Sequence, residues 1–166
     1  MKAIRNDSEQ YIQVQRDAED ILKTFGILNP PVQISLIKKV FPNSKFYLAN
    51  FDESAWGFAY PSEEGKWIVL IKRDLSENAK RFTAFHEFYH TLNSEVGYNR
   101  DTINGRFQES LANHFAACIL MPARWFRKYW KLTNGNVVNM ADIFKVSTEA
   151  IEIRAKKLEH YLAANY

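Results

Sequence analysis

His86-Glu87-Phe88-Tyr89-His90 is the stretch from which the rest of this chain can be read. Its pattern is HExxH, with two histidines four residues apart. On an α-helix, positions four apart lie only ~40° from each other around the axis. His86 and His90 would therefore point the same way and could grip one metal ion. Glu87 would lie beside them, placed to act as a base on a water rather than as a ligand. Two imidazole ligands with a neighbouring carboxylate base is the arrangement of zinc hydrolases. The plain alternative is a pair of satisfied histidines on an amphipathic helix, so the neighbourhood has to decide.

That neighbourhood reads as a helix. Ser76 can cap it and Glu77 complements its positive end. Phe82, Phe85, Tyr89 and Leu92 follow at three- and four-residue steps, the spacing of a core-facing stripe. No Gly or Pro interrupts Ser76 to Asn93, and Gly97 with Asn99-Arg100-Asp101 marks a loop. Phe82 and Phe85 read as packing residues rather than substrate contacts.

A catalytic site of this type needs a third protein ligand and one open position. A histidine six residues beyond the second one is excluded, because Val96 stands there. A glutamate on a following helix is the other solution. The run Gln108 to Met121 has helical apolar spacing and stops at Pro122. Glu109 opens it on the polar side, and Asn113 follows one turn later on the same face. Glu95 and Asp101, in or beside the loop, are competing carboxylates.

These motifs together resemble the ImmA/IrrE family of bacterial and phage metallopeptidases. The resemblance runs from about Pro31 to about Met121. It is strongest in Arg81-Phe82-Thr83-Ala84-Phe85-His86-Glu87-Phe88-Tyr89-His90 and in Glu109-Ser110-Leu111-Ala112-Asn113-His114-Phe115-Ala116 with its Leu120-Met121-Pro122 ending. Gly57-Phe58-Ala59-Tyr60 and Trp67-Ile68-Val69-Leu70-Ile71 match more weakly. Two positions depart from the family, which often has Gly at Tyr89 and a second Glu at Leu111; Tyr89 could narrow the cleft. The resemblance implies that Glu109 is the third ligand beside His86 and His90, with Glu87 as general base. It also implies that Asn113 hydrogen-bonds a ligand imidazole, as metal-bound histidines commonly require; a polar residue facing a wet cleft is the alternative. His114 falls ~140° from Glu109 on a regular helix, which suits packing or the surface better than ligation. An oxyanion donor is expected, with Tyr60, Tyr89, Tyr98 and His114 as candidates. Zn2+ is the expected ion and Mn2+ the alternative.

The remainder of the chain sets the frame. Its 166 residues suffice for one compact domain, and 46% hydrophobic and 14% aromatic residues suffice for a packed core. A net charge of +3 is too small to imply a polyanionic partner by itself. The single cysteine, Cys118, sits in an apolar run and reads as a buried thiol. Met1 to Gln10 is polar and charged, and no apolar stretch approaches ~18 residues. A cytoplasmic protein, without a membrane partner and monomeric, is therefore expected.

The element order predicts an α+β fold. A first helix begins near Asp7 or Ser8, with Tyr11, Val14, Ala18, Ile21 and Leu22 inward, and ends at Gly26. A short helix spans 34–41. Three strands, 45–48, 55–60 and 66–71, form a small mostly antiparallel or mixed sheet packed on the active-site helix, with a hairpin loop at 61–65. The expected division is a metallopeptidase core at 1–122 and a helical portion at 123–166 packed on it, all within one domain. Arg124 to Lys131 interleaves four basic residues with four aromatics, which fits an amphipathic helix better than a nucleic-acid surface. Residues 140–151 resemble a helix-turn-helix whose second helix runs to about Tyr161, although direct binding to DNA is not expected. The resemblance implies a regulatory endopeptidase that cleaves a partner helix-turn-helix repressor. The competing class is a regulator that binds a repressor or DNA around an inert metal site. A structural site usually closes with four protein ligands, whereas three ligands beside an unused Glu87 favour catalysis.

Overall fold

Trp67, Val69 and Ile71 turn alternate side chains of one strand into the core, and two other strands pair with that strand. The structure, a computed structural model, describes residues 7–52, 54–93 and 102–159. In chain order the elements are α1 (Asp7–Thr24), α2 (Ser35–Val40), β1 (Ser44–Ala49), β2 (Gly57–Pro61), β3 (Trp67–Lys72), α3 (Glu77–Asn93), α4 (Ile103–Leu120), α5 (Ala123–Leu132), α6 (Val137–Phe144) and α7 (Thr148–Lys157). The fold is α+β, as the sequence predicts.

The sheet is mixed, in the order β1-β3-β2. β1 runs parallel to β3 with Ser44 opposite Trp67, and β2 runs antiparallel to β3 with Gly57 opposite Ile71. β2 is thus an edge strand, and it packs against α3. The contact is close at Gly57. A Cβ there would stand 2.7 Å from Thr83 Cγ2 and 3.1 Å from Glu87 Cγ, so only a hydrogen fits.

α3 starts where expected, with the Ala79 N–H donating to Ser76 Oγ at 3.2 Å. Phe85, Phe88 and Tyr89 are buried on it, but Leu92, expected in the same stripe, is exposed one residue from the helix end. α4 begins a turn and a half earlier than the apolar run suggests. Thr102 caps it, its Oγ1 accepting from the Gly105 N–H at 3.0 Å. Glu109 therefore sits inside an established helix rather than opening one, which holds its side chain more firmly. α4 packs on both α1 and α3: Phe115 meets Phe88 and Tyr89 of α3, and Phe107 and Ser110 meet Tyr11 of α1.

The aromatics of α5 pack inward, as expected. Phe126 is buried and stacks on Trp130, while Phe144 meets both Phe126 and Tyr129. Arg124, Lys128 and Lys131 are exposed. α6 and α7 flank a tight turn in which Lys145 takes a left-handed conformation and Ser147 Oγ accepts from the Ala150 N–H. α7 ends at Lys157, short of the predicted Tyr161. Its Ile151 and Arg154 are buried, and Arg154 Nε donates to the Met121 carbonyl at 3.1 Å, fastening α7 to the end of α4.

Candidate metal centre

α3 and α4 bring three donors to one point. His86 and His90 lie one helical turn apart and are both buried, with their Nε2 atoms 3.3 Å from each other. Glu109 reaches across from α4, with Oε2 2.9 Å from His86 Nε2 and Oε1 3.1 Å from His90 Nε2. The donor atoms of the three residues all lie within 4.8 Å of one another, and no other such cluster occurs among the described residues. Two ligands held at ~2.0–2.2 Å around one tetrahedral ion stand ~3.3–3.5 Å apart. The observed separations fall at or just under that spacing, so the donor set fits a divalent ion.

Asn113 completes the arrangement. His86 Nδ1–H donates to Asn113 Oδ1 at 2.8 Å, which directs the Nε2 atom toward the centre. This is the contact that the resemblance implies. Burial works against a charge on His86. The hydrogen bond to Glu109, the charges of Glu87 and Glu109 and the contact with Asn113 outweigh it, and the imidazole pKa is raised. Among carboxylate-rich neighbours without a metal, the histidine is thus a proton-binding site where a cation is favoured.

Glu87 is buried to 1% exposure, with Oε1 4.0 Å from His86 Nε2. It is not one of the three clustered donors, yet it lines the same cleft. That cleft, of about 270 Å³, is bounded by Ser54, Ala55, Trp56 and Gly57 on the β2 side, by Phe82, Thr83, His86 and Glu87 on α3, and by Glu109 and Asn113 on α4. The edge strand beside α3 therefore begins at the mouth of the site.

The other sequence candidates go elsewhere. His114 does not face the cleft. It lies on the α1 side of α4, edge-on to the Tyr11 ring at 5.0 Å, with Nε2 3.5 Å from Cys118 Sγ. The turn of the helix between Glu109 and His114 accounts for this, and an oxyanion role does not fit that position. Tyr89 is buried, its ring against Phe115 and His90. Tyr60 is exposed near the far end of β2, opposite Ile68. Neither lines the cleft. Tyr98, Glu95 and Asp101 lie outside the described residues. Sequence reasoning passed over Trp56 and Thr83, and it took Phe82 for a packing residue. Thr83 precedes Glu87 by one turn, so HExxH spacing extended backward would have found it, and its buried hydroxyl has no hydrogen-bond partner among the described residues. Trp56 carries no comparable signal.

A model of the Peptidase_M78 family, described as the IrrE N-terminal-like domain, matches residues 44–156, from β1 through α7. The chain belongs to this family. The family is one of metallopeptidases, and the matched span ends at residue 156, among the C-terminal helices. A solved structure of a Mycobacterium tuberculosis transcriptional regulator shares the fold, with a TM-score of 0.65 at 14% identity. The alignment covers 84% of this chain and 44% of that one, so this chain spans less than half of that regulator. No curated protein matches the chain. No helix among the described residues is long and apolar enough to cross a membrane.

Proposed function

We propose that this M78 protein is a metal-dependent endopeptidase of regulatory type, with a helix-turn-helix transcriptional repressor as its substrate. The observation that carries this reading is the convergence of His86, His90 and Glu109 with Glu87 beside them at the wall of an open cleft. His86 Nε2, His90 Nε2 and the Glu109 carboxylate would hold the ion, and Zn2+ suits this two-nitrogen, one-carboxylate set best. The ion, when bound, polarises a peptide carbonyl and acidifies a water.

The chain's own residues do the rest. Glu87 takes the proton of the attacking water and delivers it to the leaving amine. Its burial against Gly57 and Thr83 fixes where that proton is held. Asn113 keeps His86 in the tautomer that turns Nε2 to the centre. β2, an edge strand whose first residue touches the cleft, offers backbone N–H and C=O groups to which an extended peptide can add as a strand. Only an extended or locally unfolded segment fits this mode, which directs cleavage to a linker or frayed element of the repressor. A regulator is also what the structural neighbour is called, a fold likeness consistent with a role near transcription control.

The test pairs the zinc-loaded protein with the repressor encoded beside it and, separately, with unfolded casein. Discrete repressor fragments with little casein digestion are expected. Glu87→Gln should keep its metal, measured by mass spectrometry, and cut at a rate lower by ~100-fold or more. Loss of metal in that variant would make Glu87 a ligand. An intact repressor that nonetheless leaves its operator would favour a regulator acting by binding alone.

A further inference from the structure

A second and larger cavity, of about 530 Å³, adjoins the metal cleft. The two share Trp56, Phe82 and Asn113, so they form one continuous depression. Beyond those residues the walls change character. Ala79 on α3, Ala117 on α4, Met121 at the end of α4, Val146 in the α6–α7 turn and Ala150 and Ile153 on α7 make its apolar walls, while Ser76, Asn78, Ser147, Glu149, Arg154 and Lys157 add polar and charged groups to the lining. Two large apolar side chains stand exposed on its rim, Trp56 at 52% and Ile153 at 49%. Isolated exposed apolar residues are ordinary, but two that line one cavity with apolar walls fit the pattern of a binding site.

The chamber is built, not left over. Asn78 Nδ2 donates to the Val146 carbonyl at 3.3 Å and Arg81 Nη1 to the Lys145 carbonyl at 3.4 Å, tying the first turns of α3 to the α6–α7 turn. The Arg154–Met121 bond ties α7 to α4. These three links fix the far wall relative to the metal helix. They also turn a buried face of α7, the second helix of the helix-turn-helix-like pair, toward the peptidase core.

We infer that the C-terminal helix pair forms the specificity pocket of the enzyme, a chamber that takes a bulky apolar side chain of the substrate next to the scissile bond. This deepens, and rests on, the metallopeptidase reading above. The occupant follows from continuity: a peptide seated at the metal cleft has a neighbouring side chain within reach of Trp56 and Phe82, and the walls beyond them favour an apolar group. The volume, well above that of a single methyl or isopropyl group, favours a large one.

The probes are two hydroxamates that bind through the same metal-chelating group, acetohydroxamate and 3-phenylpropanohydroxamate, titrated by calorimetry into the zinc-loaded protein. Burying a side chain of phenyl size corresponds to roughly 10–100-fold in affinity. The phenyl compound should bind at least ~10-fold more tightly than acetohydroxamate. Ala150→Phe, which fills the chamber from α7, should bring that ratio to within about twofold while acetohydroxamate still binds. Ile153→Ser, at an exposed rim position where the fold tolerates change, should lower the ratio without abolishing it. A ratio near one in the unmodified protein, or a ratio that neither substitution moves, overturns the pocket and leaves the metal centre standing. Failure of the zinc-loaded protein to bind acetohydroxamate at all overturns the metallopeptidase reading and the pocket with it.

Discussion

His114 is expected to make the protein acid-sensitive at a place away from the metal cleft. The ring is half-buried between α1 and α4, and its pKa is lowered from the ordinary 6.5 to about 4. Burial is the main cause, and the positive charges of Arg154 and Lys157 add to it. The folded state thus binds the proton less readily than the unfolded chain does. Well above pH 6.5 the ring is neutral in both states and contributes no pH dependence. As the pH falls from about 6.5 to about 4, the unfolded chain is protonated first and stability declines; below about 4 the decline from this group ends. At ~1.4 kcal/mol per unit of pKa, the full difference corresponds to ~3 kcal/mol for an enclosed ring. Solvent screening of a half-buried one reduces this to ~2 kcal/mol. The assay is urea unfolding of the unmodified protein and of His114→Gln between pH 7.5 and 4, with the difference between the two taken at each pH. Metal loss and other titrations occur in both proteins and cancel in that difference. The unmodified protein should lose ~2 kcal/mol more than the variant over the window. Parallel pH profiles would refute the reasoning, as would a difference that grows with rising pH.

Two further expectations concern the site itself. Glu109→Ala should empty the centre as thoroughly as His86→Ala or His90→Ala, whereas Asn113→Ala should weaken metal affinity by only ~10–100-fold, both read by competition with a chelating dye; equal effects would mean that Asn113 is itself a ligand. Gly57→Ala forces a methyl into contact with Thr83 and Glu87 and should cost ~1–3 kcal/mol by chemical denaturation, with metal content preserved and cleavage reduced. An alanine tolerated with no change in either would show that β2 can withdraw from α3.

The parts of this molecule legible in its sequence are those governed by helical period. Four residues separate His86 from His90 and Glu109 from Asn113, and a helix turns such spacings into shared faces without further information. The same rule placed His114 away from Glu109. The start of α4 was hidden because Asn104 and Gly105 are weak helix formers, and a single threonine cap outweighs that weak preference. Strand order was hidden for a different reason: parallel pairing of β1 with β3 depends on how the sheet packs on the helices, not on either strand alone. Trp56 and the α7 wall of the large cavity lie almost a hundred residues apart, and only the folded chain brings them to one rim. Phe82 shows the same limit on a smaller scale, since a half-buried aromatic on a core stripe can also border a cleft.

The three donors of the metal centre belong to two helices with a long connection between them, so a bound ion is also a cross-link. It joins the second half of α3 to the first half of α4. Anything that binds only the folded chain adds stability by mass action, ~4 kcal/mol at a thousandfold excess over the dissociation constant. Set against the 5–15 kcal/mol roughly typical of a whole domain, that is a large share. Metal supply would then govern survival of the polypeptide as well as its activity. A cell short of the ion would hold fewer intact copies, because the loosened chain is the one that quality-control proteases reach.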